Sequence, residues 1–147
     1  MNRDAALTFS KEQEILSPLI STNIIDLAAV RDVGTGARAL YAYSYVTTAF
    51  TDSGNNSNCT VIFQTDSIEA FNSATNSVTL GVFATNAAVG TKLGPIAIGP
   101  AKANERYAGM YYDIGGGNLT TGKVTSFLSF DPHVWSARDD AVTVSVP

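Results

Sequence analysis

Gly117-Asn118-Leu119-Thr120-Thr121-Gly122-Lys123 has the G-x-x-x-x-G-K spacing with which a loop cradles phosphates. That chemistry also needs a Ser or Thr hydroxyl next, to hold magnesium, and a helix opening at the lysine. Here Val124 follows, in the β-branched and aromatic stretch KVTSFL, so a turn using glycine's tolerance of positive φ is the better reading. Gly34-Thr35-Gly36 lacks the third glycine and the following helix of a dinucleotide fingerprint and also reads as a turn. His133 is the single histidine, and no metal-ligand spacing joins it to Cys59 or to carboxylates. Asp131-Pro132-His133 reads as a turn after a strand, and no G-x-S-x-G supplies a nucleophile for a triad. Asp113, Asp131, Glu69 and Glu105 are candidates for a glycosidase dyad, which is defined by distance in space. Each adjoins a predicted turn, where acids stay solvated. Cys59 stands alone among Thr60, Val61 and Ile62 with no adjoining cation, as an inert thiol half-buried in a strand would. The expectation is a chain without catalytic residues, cofactor or metal.

Composition narrows the partners. Charged residues are 15% of the chain, so much of the surface is neutral Thr, Ser, Asn, Ala and Gly, which loses little hydration on docking against another protein. The net charge is −4 and the nine basic residues are scattered, whereas a phosphate-tracking groove needs concentrated positive charge; no nucleic-acid partner is expected. No apolar run approaches the ~18 residues of a membrane-spanning helix, so no membrane partner is expected. The segment MNRDAALTFSKEQEIL lacks the apolar region of a signal peptide. The sequons at Asn56, Asn58 and Asn118 accordingly read as turn chemistry.

The elements that must position these residues are short and β-like. Strands are predicted at 7–9, 19–25, 39–47, 59–66, 78–84, 93–98, 106–114, 123–130 and 141–146, with turn clusters between them. In the stretch 39–47, Leu40, Ala42, Ser44 and Val46 fall on one face and Tyr41, Tyr43 and Tyr45 on the other, the period of a strand with one buried side. The stretch 105–131 (ERYAGMYYDI, then GGGNLTTG, then KVTSFLSFD) predicts a β-hairpin. Residues 10–16 carry a capping-box pattern, Ser10 with Gln13, and together with 67–73 are the helical candidates. The whole predicts one all-β domain over residues 1–147, an antiparallel sandwich. Sandwiches leave open edges, which oligomerisation would cover.

Aromatic residues are the candidate contact sites. Tyr41, Tyr43 and Tyr45 form either a core face or an outward stripe that packs on a partner or stacks on a sugar. Tyr107 and Tyr111 form a similar pair opposite Ala108, Met110 and Tyr112. Trp135, in VWSARDD, is placed to plug one end of the core.

Four pieces occur in order: LTFSKEQEI (7–15); STNIIDLAAVRDVGTG (21–36); CTVIFQTDSIEAF (59–71); and ERYAGMYYDIGGGNLTTGKVTSFLSFD (105–131). In them the chain resembles the capsid cement (decoration) proteins of tailed bacteriophages, in particular the Bordetella-phage type. The resemblance spans about the first 130 residues, and 136–147 match no pattern of it. It implies a jelly-roll-like fold and a homotrimer on the outer surface of the virion's capsid. Its partner would be the major capsid protein, clamped without chemistry, and no ligand residues carry over. Residues 1–7 and 139–147 are candidate arms. The alternative is a carbohydrate- or host-binding β-sandwich on a virion, using the Tyr stripe.

Overall fold

A strand that buries one face alternates apolar and polar residues, and the alternating stretches of this chain are strands. The computed structural model describes residues 7–27, 40–98 and 105–129. Among them are nine strands: β1 (Thr8–Glu14), β2 (Leu19–Ile20), β3 (Ile25–Asp26), β4 (Leu40–Thr51), β5 (Asn58–Asp66), β6 (Thr75–Phe83), β7 (Lys92–Ile98), β8 (Tyr107–Gly115) and β9 (Thr121–Ser129). No α-helix occurs among the described residues.

The strands form two antiparallel sheets, ordered β1-β9-β4-β7 and β2-β8-β5-β6, with β3 also paired to β8. The pairs β1 with β9, β2 and β3 with β8, β4 with β7 and β5 with β6 nest like rungs of one long hairpin. Rolling that hairpin lays β9 on β4 and β8 on β5. This is the jelly-roll order. Phe9 meets Phe63 edge-on at 6.0 Å between ring centroids, and Phe50 meets Phe83 at 5.7 Å, each pair joining one sheet to the other. Ile15, Val46, Met110 and Val124 fill the core around them with no exposed surface.

A buried polar chain crosses that core. Tyr112 Oη of β8 lies 2.7 Å from Ser10 Oγ of β1 and from Ser126 Oγ of β9, and Ser126 Oγ lies 2.8 Å from Ser44 Oγ of β4. The Ser10 hydroxyl donates to Gln13 Oε1, which also accepts the Thr22 N–H. The Tyr112 hydroxyl bridges Ser10 and Ser126, so every hydroxyl from Ser44 to Ser10 has a partner. Buried hydroxyls without partners would cost ~1–3 kcal/mol each, so the chain holds four strands in register.

Several sequence expectations change in three dimensions. The two arms of 105–131 are strands, β8 and β9, but they lie in different sheets and do not pair. The glycine run between them crosses from one sheet to the other instead of closing a hairpin. Residues 10–16 fall mainly in β1: ladder bonds to β9 and burial of Phe9 and Ile15 outweigh the local capping signal. Residues 67–73 form turns, because the Asp66 carboxylate accepts the N–H groups of Ile68 (3.2 Å) and Ser73 (2.9 Å). The strand expected at 19–25 divides into β2 and β3. Between them the Ser21 hydroxyl accepts the Met110 N–H of one sheet, while Asn23 donates to Thr8 O and Phe9 O of the other, stitching that side of the sandwich. Cys59 is fully buried rather than half-buried. The turn at 34–36, the strand at 141–146, Asp131, His133, Trp135 and nearly all of both candidate arms lie outside the described residues.

The chain also blunts its own edges. β1 carries two register shifts and the exposed charges Lys11, Glu12 and Glu14, β7 carries Pro95 and a register shift, β2 and β3 have two residues each, and β6 has two shifts against β5. Covering open edges is therefore not a reason for this chain to oligomerise.

Candidate functional site

Tyr41, Tyr43 and Tyr45 share the face of β4 turned away from the main core, as their alternation predicts. Tyr43 nevertheless has no exposed surface: its ring stacks on Phe127 of β9 at 5.2 Å and 17°, flanked by the half-buried Tyr41 and Tyr45. Tyr43 is thus packed within its own chain, and a sugar or partner stacked directly on it has no access in this conformation. The stripe is packed, but in a second small aromatic cluster outside the main core.

Tyr107 and Tyr111 sit on the outer face of the second sheet. Between them is Gly109, paired with Gln64. The missing Cβ makes a recess that side chains fill: a Cβ there would lie 2.9 Å from Ile24 Cδ1, 3.1 Å from Phe71 Cζ and 3.2 Å from Ile20 Cδ1. Ile20, Ile24 and Phe71 are half-buried, as are both tyrosines, so an apolar centre runs across β2, β8 and β5 to Ile62. Its rim is polar: Thr60 and Gln64 on β5 and Asn76 and Thr79 on β6, with the exposed Asp113 opposite Thr60 at one end and the Asp26–Arg106 pair at the other. An apolar, aromatic-bearing centre inside a polar rim is the anatomy of a protein-contact face. Sequence reading found the tyrosines and missed Ile20, Ile24 and Phe71. The available signal was a lone glycine inside an aromatic strand, which marks a close approach.

At one end of this face the resemblance motifs meet. Arg106 clamps Asp26 through two bonds of 2.9 Å, Nε to Oδ1 and an Nη to Oδ2, and its guanidinium lies 5.0 Å from the Tyr107 ring centroid. The Asp26 hydrogen bond and charge push the guanidinium's pKa further up. Thr65 donates to Glu105 Oε1 at 2.8 Å. Desolvation would raise the Asp66 carboxyl, but N–H groups of Ser73, Ile68 and Ser67 outweigh it and hold the group below its usual value. STN, ID, QTD and ERY thus act as stitching between strands.

Of the carboxylates singled out for catalysis, Asp131 lies outside the described residues, and Glu105 and Asp113 are too far apart to pair. Glu105 precedes β8 and Asp113 lies within it, eight residues and about 26 Å apart at the rise of a strand, against the ~5–9.5 Å of a glycosidase dyad. Glu69 lies in the exposed turn after β5 at the Glu105 end. No group of three His, Cys, Asp or Glu among the described residues could hold a metal ion. The GNLTTGK run is committed elsewhere: Ser57 Oγ donates to Gly117 O (2.8 Å), Leu119 N to Leu16 O and Thr120 N to Thr51 O, and Lys123 is in a strand. No described helix is long and apolar enough to cross a membrane.

Residues 9–128 match the family model described as Bbp16. The chain belongs to the Bbp16 family. The match covers all nine strands except the first residue of β1 and the last of β9, and every motif described above that lies within them. The family name points to a Bordetella phage protein, in keeping with the phage resemblance of the sequence. Among curated proteins none matches the chain significantly.

Proposed function

We propose that this Bbp16-family chain is a non-catalytic structural protein of a phage virion. It binds the outer surface of the head as a homotrimer and stabilises contacts between major capsid protein subunits. The observation that carries this reading is the outer face around Gly109, where apolar side chains and two tyrosines lie inside a polar rim on a rigid jelly roll. The match to a phage family supports a partner within the virion.

The size of that face favours multipoint attachment. Four strands ~4.8 Å apart and about seven residues long make a surface of roughly 19 by 23 Å, about 440 Å². A stable pairwise interface buries about 800 Å² per partner, so one copy on one site would hold weakly. Several such faces on one rigid oligomer bind a lattice far more tightly, and a ligand specific to the assembled lattice stabilises it by mass action.

The test is co-sedimentation with purified heads lacking this protein. The wild-type chain is expected to saturate the heads and raise their melting temperature. Tyr111→Asp, with an unchanged circular dichroism spectrum, is expected to bind at least about tenfold more weakly, the effect of placing a charge in a desolvated contact. A wild-type protein that never sediments with heads removes the proposal. A saturable hit on a glycan array in its place would favour the carbohydrate-binding alternative.

A further inference from the structure

We infer that the partner surface taken by the outer face around Gly109 is cationic: an apolar patch of another protein, flanked by Lys or Arg side chains. The inference rests on the proposed function and names the partner's chemistry at that same face. Charge is divided unequally between the two sheets. Among the described residues every lysine belongs to the sheet β1-β9-β4-β7: Lys11 in β1, Lys92 in β7 and Lys123 in β9. The sheet β2-β8-β5-β6, with β3 and the described residues flanking β5 and β8, holds Asp26, Asp66, Glu69, Glu105 and Asp113 against Arg106. That one guanidinium is committed, since it clamps Asp26 and also feels the Glu69 charge.

Strand alternation sets the acids at the two ends of the face. In β8, Ala108, Met110, Tyr112 and Ile114 are buried, so Tyr107, Gly109, Tyr111 and Asp113 point outward. Asp113 is exposed and pairs with Thr60, while Tyr107 lies between Asp26 of β3 and Asp66 of β5. Tyr107 and Asp113 are about 20 Å apart at the rise of a strand. The exposed Glu69 and half-buried Glu105 add to the Tyr107 end. Asp66 is buried, but its carboxylate accepts the Ile68 and Ser73 N–H groups, which keep it ionised. The apolar centre at Ile20, Gly109 and Ile62 thus lies between two negative ends.

Charge selects the occupant. A partner with acids around its apolar patch would be repelled at both ends. A neutral surround would strip water from Asp113 and Glu69 and give nothing in exchange. Lys or Arg side chains pair with them, and the inequality of the sheets turns the incoming molecule with this face forward. The same sign disfavours a phosphate backbone.

The experiment is co-sedimentation with heads lacking this protein, at about 0.1 M and about 1 M NaCl, between which the screening length falls from about 10 Å to about 3 Å. Four full-length chains are compared: wild type, Asp113→Lys, Glu69→Lys and Glu14→Lys. Glu14 is exposed on β1 of the other sheet, so its variant makes the same change in net charge away from the face. The wild type is expected to bind at least about threefold more weakly at the higher salt. Asp113→Lys and Glu69→Lys, at opposite ends of the face, are each expected to lose about two- to fivefold at the lower salt, the worth of an exposed charge pair. Both should also depend less on salt than the wild type, and Glu14→Lys should follow the wild type throughout. Wild-type binding that does not weaken at the higher salt overturns the inference and leaves the head-binding proposal standing. A loss in Glu14→Lys equal to those at Asp113 and Glu69 does the same. A wild type that sediments with heads at neither salt removes the head-binding proposal itself, and the inference with it.

Discussion

Gly116→Ala should destabilise the protein well beyond Gly90→Ala, although both glycines have left-handed φ, +84° and +91°. Placing an L-residue there costs about 1–2 kcal/mol at either site. The surroundings differ. A Cβ on Gly90 meets nothing within 4 Å, whereas a Cβ on Gly116 would lie 2.1 Å from Asn56 O and 2.9 Å from Asn56 C. Both atoms are backbone, so the β4–β5 and β8–β9 connections must move apart by about 1 Å to reach ordinary contact. That motion strains the Ser57 Oγ to Gly117 O bond and the hold of Asp52 on the Asn56 N–H, one or two hydrogen bonds worth ~1 kcal/mol each. The expected loss is roughly 3 kcal/mol for Gly116→Ala, a fall in Tm of about 6–12 °C for a chain of this size. Urea and thermal melts of wild type, Gly116→Ala and Gly90→Ala under one set of conditions measure the gap. Equal losses for the two variants would refute the interlocking of the connections and return the glycine run to an ordinary flexible turn.

Tyr112→Phe breaks the core hydroxyl chain at its centre and should cost ~1–3 kcal/mol in urea unfolding, as Ser10 and Ser126 lose a shared partner; no loss would mean the chain does not contribute to stability. Burial, aided by the Asp113 charge, pushes the Cys59 thiol up to about 12, so a thiol reagent at pH 8 should label the unfolded protein and not the native one. The N–H of Asn56 and the hydroxyl of Ser57, with the N–H groups of Gly54 and Ser57, lower the Asp52 carboxyl from 3.8 to about 2. A lowered folded-state pKa stabilises above the unfolded value: the contribution is full above about pH 3.8 and is lost as pH falls through about 2. Asp52→Ala should therefore flatten the acid limb of the stability profile in that window; an unchanged limb would show that other carboxylates set it.

Strand existence was readable in the residues because it is a local property. The alternation of Tyr107 and Tyr111 with Ala108, Met110 and Tyr112 identifies a half-buried strand whatever it pairs with, and the described strands largely overlap the stretches so marked. The proposed contact face was half legible: its tyrosines stand out by type, but Ile20, Ile24 and Phe71 reach Gly109 from two separate segments. The S-T-N and E-R-Y motifs were visible as order and spacing, while their work as stitching appears only once β3, β5 and β8 lie side by side.

By itself, then, the sequence determined an all-β chain, its neutral and acidic surface, and the absence of a recognised catalytic signature, since period, charge and motif spacing are read along one segment at a time. Tertiary structure decided which strands are neighbours: it set β8 and β9 in opposite sheets, drew residues 10–16 into a strand, and turned Tyr43 onto Phe127. Those outcomes depend on burial shared between residues far apart in the chain, such as Phe9 with Phe63 and Ser10 with Tyr112, and no local pattern specifies which distant segment supplies the other half.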